Sequence, residues 1–252
     1  MRSTGLVDAT RARSHVVVTL NDPLRRNAPT APLILELRRR LTVLTMDSSI
    51  RTIVLTGTDD VFSVGGDLRV LRPWARPAIT DNNHRRPTPT WRWLRIQFGA
   101  LLRTITRSDT PFIAAVNGDA GGPGIALALA CDLVIASERA RLMPCGRIGE
   151  TGELDTNWLS RRLGHQRAFE LRTGASYMSA QHAAELGLVH ELVAPDQVLP
   201  RALDWAERID LIPDGGVPMA KRFLRTEAQL KWDDAVADEL AALERAIAPS
   251  RP

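Results

Sequence analysis

Three stretches of the chain hold residues whose types and spacing could do chemistry. The first, "VFSVGGDL", runs into two glycines and an acid; the second, "NGDAGGPGIALALACD", wraps glycines around Pro123. Glycine lets a backbone approach a ligand closely enough for its N–H groups to bind. Proline has no N–H, so Pro123 removes one donor from a turn where donors are most useful. The third stretch, "GETGELDTNWLSRRLG", brings Glu150, Glu153 and Asp155 within six residues. A carboxylate beside a reacting carbon can take up a proton and return it. The helical spacing of Leu154, Trp158, Leu159 and Leu163 offers these acids a structural use too: Asp155 can cap that helix and Glu153 can favour its N-terminus electrostatically. Cys145, in "LMPCGRIG", could serve as acid, base or nucleophile, although a buried cysteine is more often inert.

These residues must be positioned by elements that the hydrophobic pattern outlines. "SHVVVTLNDP" is an apolar run closed by turn residues, a strand followed by a loop, and "LILELRRRLTVLTMD" repeats leucine and isoleucine at helical spacing. "IRTIVLTGTDD" reads as a buried strand ended by Gly57, and "PFIAAVNGDA" repeats that form after the helical "FGALLRTITRSD". "CDLVIASERARLM" supplies another strand. Alternating strands and helices with glycine-rich strand exits predict an α/β fold with its chemistry at the carboxyl ends of the strands. From about residue 165 the pattern is helical: "HQRAFELRTG", "SAQHAAELGLVHELV", "LPRALDWAERI" and a long stretch from Pro218 to Ala248. Ser179 fits an N-cap and Gly187 a helix stop in the second of these. Residues 73–93, "PWARPAITDNNHRRPTPTWRW", have no periodicity and are expected to form a lid, because so long a loop in a compact domain is commonly functional or mobile.

Composition narrows the classes of function. With 44% hydrophobic residues, the 252-residue chain can fill a substantial core. No stretch approaches the roughly 20 apolar residues of a membrane span, and the start lacks the apolar region of a signal peptide, so a cytoplasmic location is expected. Two cysteines, Cys131 and Cys145, make neither a disulfide framework nor a metal cluster, and no metal site is expected. The net charge of +4 is carried almost wholly by arginine, which suits phosphates and carboxylates. The arginines are dispersed and lack interleaved aromatics, which argues against nucleic acid as a partner. His165, His182 and His190 fall in the helical region, where surface or capping roles are expected.

Four blocks in order, "VTLNDPLRRNA", "VFSVGGDL", "PFIAAVNGDAGGPGIALALACDLVIASERARL" and "SYMSAQHAAELGLVHELV", resemble the crotonase, or enoyl-CoA hydratase/isomerase, superfamily over roughly residues 15 to 200. The resemblance implies a spiral core of repeated ββα units over residues 1–195, with the lid at 73–93, and a helical C-terminal trimerisation region over 196–252. A homotrimer or a dimer of trimers would follow. It also implies two backbone amides aimed at the oxyanion of a thioester enolate. Gly66 matches the first donor. Pro123 stands where the second belongs, so Gly122 or Gly124 would supply it, or one amide works with another group.

Family hydratases add water with two glutamates. Here Ala126 occupies the first position, and the second falls at Cys145 or Gly146. The register set by Trp158 places Glu153 where relatives often carry a catalytic aspartate, with Glu150 the alternate. Arg25 and Arg26 lie in a segment that contacts the CoA nucleotide in relatives. His84, in the lid, could meet an anionic substrate, while Trp74 and Trp91 could wall a pocket for a bulky ligand or anchor the loop. The expected protein is a crotonase-type isomerase or atypical lyase, needing no cofactor beyond coenzyme A carried by its substrate. Two other readings stay open: a tailoring reaction on a carbonyl substrate without CoA, and an inactive relative kept for ligand binding or scaffolding.

Overall fold

A computed structural model describes residues 5–65, 89–143, 156–174 and 177–224. Among the described residues, ten strands form two sheets. The main sheet holds β1 (Val7–Ala12), β2 (His15–Leu20), β3 (Thr52–Gly57), β5 (Phe112–Val116), β7 (Leu133–Ser137) and β10 (Glu191–Val193), in the order β1-β2-β3-β5-β7-β10. β1 and β2 form an antiparallel hairpin, and every further pairing in that sheet is parallel. A second sheet, in the order β4-β6-β8-β9, is built from shorter pieces: β4 (Val61–Ser63), β6 (Asp119–Gly121), β8 (Arg141–Met143) and β9 (Met178–Ser179). β3, β5 and β7 are each followed by a short strand of the second sheet, and then, further along the chain, by a helix. These are the expected ββα units.

The helices are α1 (Ala31–Met46), α2 (Pro89–Arg107), α3 (Pro123–Leu129), α4 (Thr156–Thr173), α5 (Ala180–Glu185), α6 (Val198–Asp210) and α7, which spans 216–224. β3 and β5 are nearly continuous apolar runs because both faces of the parallel sheet are covered. Successive residues point to opposite faces. Ile53, Leu55, Phe112 and Ala114 join Leu37 and Leu41 of α1 and Leu101 and Ile105 of α2 in the larger core. Val54, Ile113, Ala115 and Ile135 point the other way and meet Val198, Ala202 and Ala206 of α6. α7 is tied to the base of the sheet by Lys221, whose Nζ donates to Thr110 O at 2.9 Å and to Asp132 at 2.6 Å.

Several elements differ from the sequence pattern. "CDLVIASERARLM" contains two strands, β7 and β8, because a turn at 138–139 sends the chain from one sheet to the other. β1 is an edge strand with mostly exposed residues, so it lacks an apolar run. α2 begins at Pro89 and takes in the last residues of the expected lid. The rest of that lid, 73–88, lies outside the described residues, as does the expected helical stretch beyond residue 224. As expected, Ser179 caps α5, its Oγ accepting the His182 N–H at 3.1 Å, and Gly187 follows in the left-handed region at φ 77°. No helix among the described residues is long and apolar enough to cross a membrane.

Candidate active site

The short strands β4 and β6 run parallel and deliver the two glycine loops side by side. Gly65 leaves β4 at φ 85°, and a Cβ there would lie 2.5 Å from Gly121 O. The reverse holds at Gly121, where a Cβ would stand 2.5 Å from Val64 O. A Cβ on Gly124 would overlap the Ser63 carbonyl, with Ser63 Cβ at 2.9 Å. The two loops therefore meet backbone to backbone, and only glycine permits the approach. Gly66, the expected first donor, is the next residue along and lies outside the described residues.

The second loop shows what proline does there. Pro123 is the first residue of α3, a position where a helix has no use for the missing N–H and where the fixed φ of proline already suits it. Gly122 precedes it at φ 37°, and its N–H donates to Met143 O at 2.9 Å, so that amide is already engaged in joining β6 to β8. The Gly124 N–H follows in the first turn and meets no acceptor among the described residues. Of the two glycine amides flanking Pro123, Gly124's is the one with no acceptor among the described residues. Ala126, expected at the position of the first hydratase glutamate, is the third residue of the buried run Gly124–Leu129 of α3 and is 0% exposed.

The first loop is held from below by the turn that carries Arg25 and Arg26. Asn27 is fully buried and left-handed at φ 54°. Its Oδ1 accepts the Asp22 N–H at 2.9 Å and its Nδ2 donates to Val61 O at 3.0 Å. Its carbonyl accepts from Ser63 Oγ at 2.7 Å, and the Arg26 carbonyl accepts the Val64 N–H at 3.2 Å. Both arginine side chains are about half exposed; Arg25 reaches Asp22 and Arg26 reaches Asp119, each at 3.3 Å. Asp119, at the start of β6, also takes Arg141 Nε at 3.0 Å and Nη2 at 2.6 Å. The Arg141 hydrogen bonds hold the Asp119 carboxyl below its usual range against the opposing effect of burial.

The expected acids Glu150, Glu153 and Asp155, together with Cys145, fall in 144–155, outside the described residues, as do Trp74 and His84. Trp91 belongs to the first turn of α2. The other cysteine, Cys131, is a buried free thiol whose Sγ–H faces Leu127 O at 3.5 Å. Burial, aided by the neighbouring Asp132, pushes its pKa up and leaves it unreactive. Sequence reasoning passed over Asn27, Ser63, Asp119 and Arg141. Asn27 offered the one usable signal, since asparagine tolerates the left-handed turn conformation better than most residues.

The family model for enoyl-CoA hydratase/isomerase matches residues 10–249. A Thermus thermophilus protein named "Putative enoyl-CoA hydratase" is 33% identical over 93% of this chain and 89% of its own length. Among solved structures, an enoyl-CoA hydratase/isomerase from Xanthobacter autotrophicus Py2 superposes with a TM-score of 0.81 at 27% identity, covering 97% of this chain and 86% of that one. A monofunctional enoyl CoA isomerase from M. smegmatis gives a TM-score of 0.72 at 29% identity, over 88% and 92% of the two chains.

Proposed function

We propose a reaction from one premise: this chain belongs to the enoyl-CoA hydratase/isomerase family, within the crotonase superfamily. The protein shifts the double bond of an enoyl-CoA, or carries out a related lyase step, and does not add water. The observation that carries this reading is Ala126, a buried methyl group where the family's hydratases hold their first glutamate. An alanine cannot move a proton, and hydration by the two-glutamate route has no first partner.

In the proposed mechanism the thioester oxygen rests against the amides of Gly66 and Gly124. The Glu153 carboxylate removes a proton from the α carbon, and the electron pair moves onto that oxygen as an enolate. The amides stabilise the charge as it develops, which is where such donors act most strongly. The electrons then return through the chain and the γ carbon takes the proton back from Glu153. One carboxylate suffices, because the proton leaves and returns along one face of the enolate. Glu150 is the alternate carrier, and Asp155 the third candidate acid. Arg25 and Arg26 face the phosphates of CoA, while Trp74, His84, Trp91 and Cys145 belong to the walls of the substrate site. The reaction needs no cofactor or metal beyond the coenzyme A of the substrate. The protein is proposed to work in the cytoplasm as a homotrimer or a dimer of trimers.

The test is an assay of purified protein with 3-hexenoyl-CoA and 2-hexenoyl-CoA, following both double-bond migration and 3-hydroxyacyl-CoA. Migration without hydroxyacyl product is expected, with Glu153→Gln lowering kcat by about 10²–10⁴-fold while CoA affinity is kept. Hydroxyacyl-CoA formation that survives Glu153→Gln would sink the isomerase reading. Pro123 favours a second reading, a carbonyl substrate without CoA, since it removes an amide from the family's usual position; flat calorimetric titrations with CoA and acyl-CoA esters would move the assignment there.

A further inference from the structure

The arginine-bearing turn at 22–27 and the two glycine loops are joined by a short chain of buried contacts that the proposed chemistry does not by itself require. Asn27 stands at its centre. Its side chain fixes both the start of the turn, through the Asp22 N–H at 2.9 Å, and the start of β4, through Val61 O at 3.0 Å. Thr58 Oγ1 adds a longer contact to Asn27 Oδ1 at 3.5 Å. The Asn27 carbonyl then takes Ser63 Oγ–H at 2.7 Å. Ser63 is 2% exposed, and its backbone carbonyl is the group against which Gly124 packs without room for a Cβ. Arg26 and Val64 close the same path through the main chain at 3.2 Å. Arg26 at the surface thus leads, through Asn27 and Ser63, to the backbone of Gly124.

We infer that Asn27 and Ser63 are positioning residues that couple the turn at 22–27 to both glycine loops, so that an anionic phosphate end of the substrate seated on Arg25 and Arg26 steadies the amides at the other end. The inference rests on the acyl-CoA reading above. Its physical basis is order rather than displacement: each link is a hydrogen bond or a backbone contact in a buried setting, and a ligand that quiets one end lowers the cost of ordering the other. The left-handed conformation of Asn27 holds the turn in one geometry, because few residues adopt it and the buried side-chain bonds fix it there. In functional terms, the non-reacting end of the substrate then contributes to alignment at the reacting centre, the route by which remote binding raises kcat as well as lowering KM.

Adenosine 3′,5′-bisphosphate is the probe, since it carries phosphates and a nucleoside but no thioester arm. Amide hydrogen exchange by mass spectrometry on the full chain, with and without the probe, reads the coupling directly. In wild type, exchange should slow in 22–27 and also in 61–65 and 119–126. In Ser63→Ala, which leaves the Arg26–Val64 main-chain bond in place, protection should remain in 22–27 and be reduced in the two loops. Asn27→Gly, which keeps the left-handed backbone and removes the side-chain bonds to the Asp22 N–H and to Val61 O, should weaken protection in the turn and in both loops, and serves if Ser63→Ala does not fold. Protection confined to 22–27 in wild type overturns the coupling, as does transmission undiminished by either substitution. A parallel calorimetric titration with hexenoyl-CoA separates the two ideas: binding of the ester without transmission removes the coupling alone, whereas no binding of the ester removes the acyl-CoA reading and the coupling with it.

Discussion

Glycine 124 makes a strict demand in the candidate site, because the group that a side chain would strike is backbone and cannot swing away. Gly124→Ala should push α3 away from Ser63 and cost about 1–3 kcal/mol of stability, with activity falling further than stability alone would account for. Gly99→Ala is the matched control. Gly99 lies inside α2, where an added Cβ meets just the flexible Arg103 guanidinium at 3.6 Å, so alanine should stabilise by about 0.5–1 kcal/mol. Urea denaturation of the two variants beside wild type checks both signs. The sequence announced that these glycines mattered and that Pro123 was out of place. It could not announce that the Gly122 amide is taken by Met143, since that bond joins residues twenty-one positions apart through the pairing of β6 with β8. Asn27 and Ser63 escaped for a related reason: each looks like an ordinary turn or strand residue until its buried partners are known.

The second sheet is the element that sets the amides, and its members are too short to show a period in sequence. β4, β6 and β8 have three residues each, against five or six in the strands of the main sheet that were read correctly as β2, β3 and β5. A continuous apolar run is legible because burial on both faces demands it; a three-residue strand is held by what flanks it. For β6 and β8 the flanking contact is the Asp119–Arg141 pair, with Arg26 joining from the turn. Its pH dependence has a definite sign. The folded-state pKa of Asp119 is depressed below its ordinary 3.8, so the pair's stabilisation is fully present above that value and is lost as pH falls through the lower, folded value. Asp119→Asn should therefore destabilise the protein at pH 7 and narrow its difference from wild type at strongly acid pH. Urea midpoints measured across that range would show the two curves converging; parallel curves would remove Asp119 from the account.

At the scale of the whole molecule, apolar side chains stand in solvent on several helices, among them Phe169 of α4, 61% exposed, and Phe223 of α7, 76% exposed beside Met219 and Leu224. A cluster of exposed apolar side chains such as Met219, Phe223 and Leu224 commonly marks a contact with another chain. Together with the family resemblance it leads us to expect an assembly whose mass is a multiple of three 27.8 kDa chains in sedimentation velocity, and a single-chain mass at micromolar concentration would remove the trimer. The charge on that surface has a further property that follows from how α7 is fastened. The chain has two lysines, Lys221 and Lys231, and the first is 8% exposed with its ammonium locked between Asp132 and Thr110. Nearly all remaining side-chain cations are guanidinium groups, which keep their proton far into alkaline solution. Reagents that seek primary amines will find few handles on this protein, tryptic fragments will end almost entirely in arginine, and its positive side-chain charges will persist at a pH where lysines would have gone neutral.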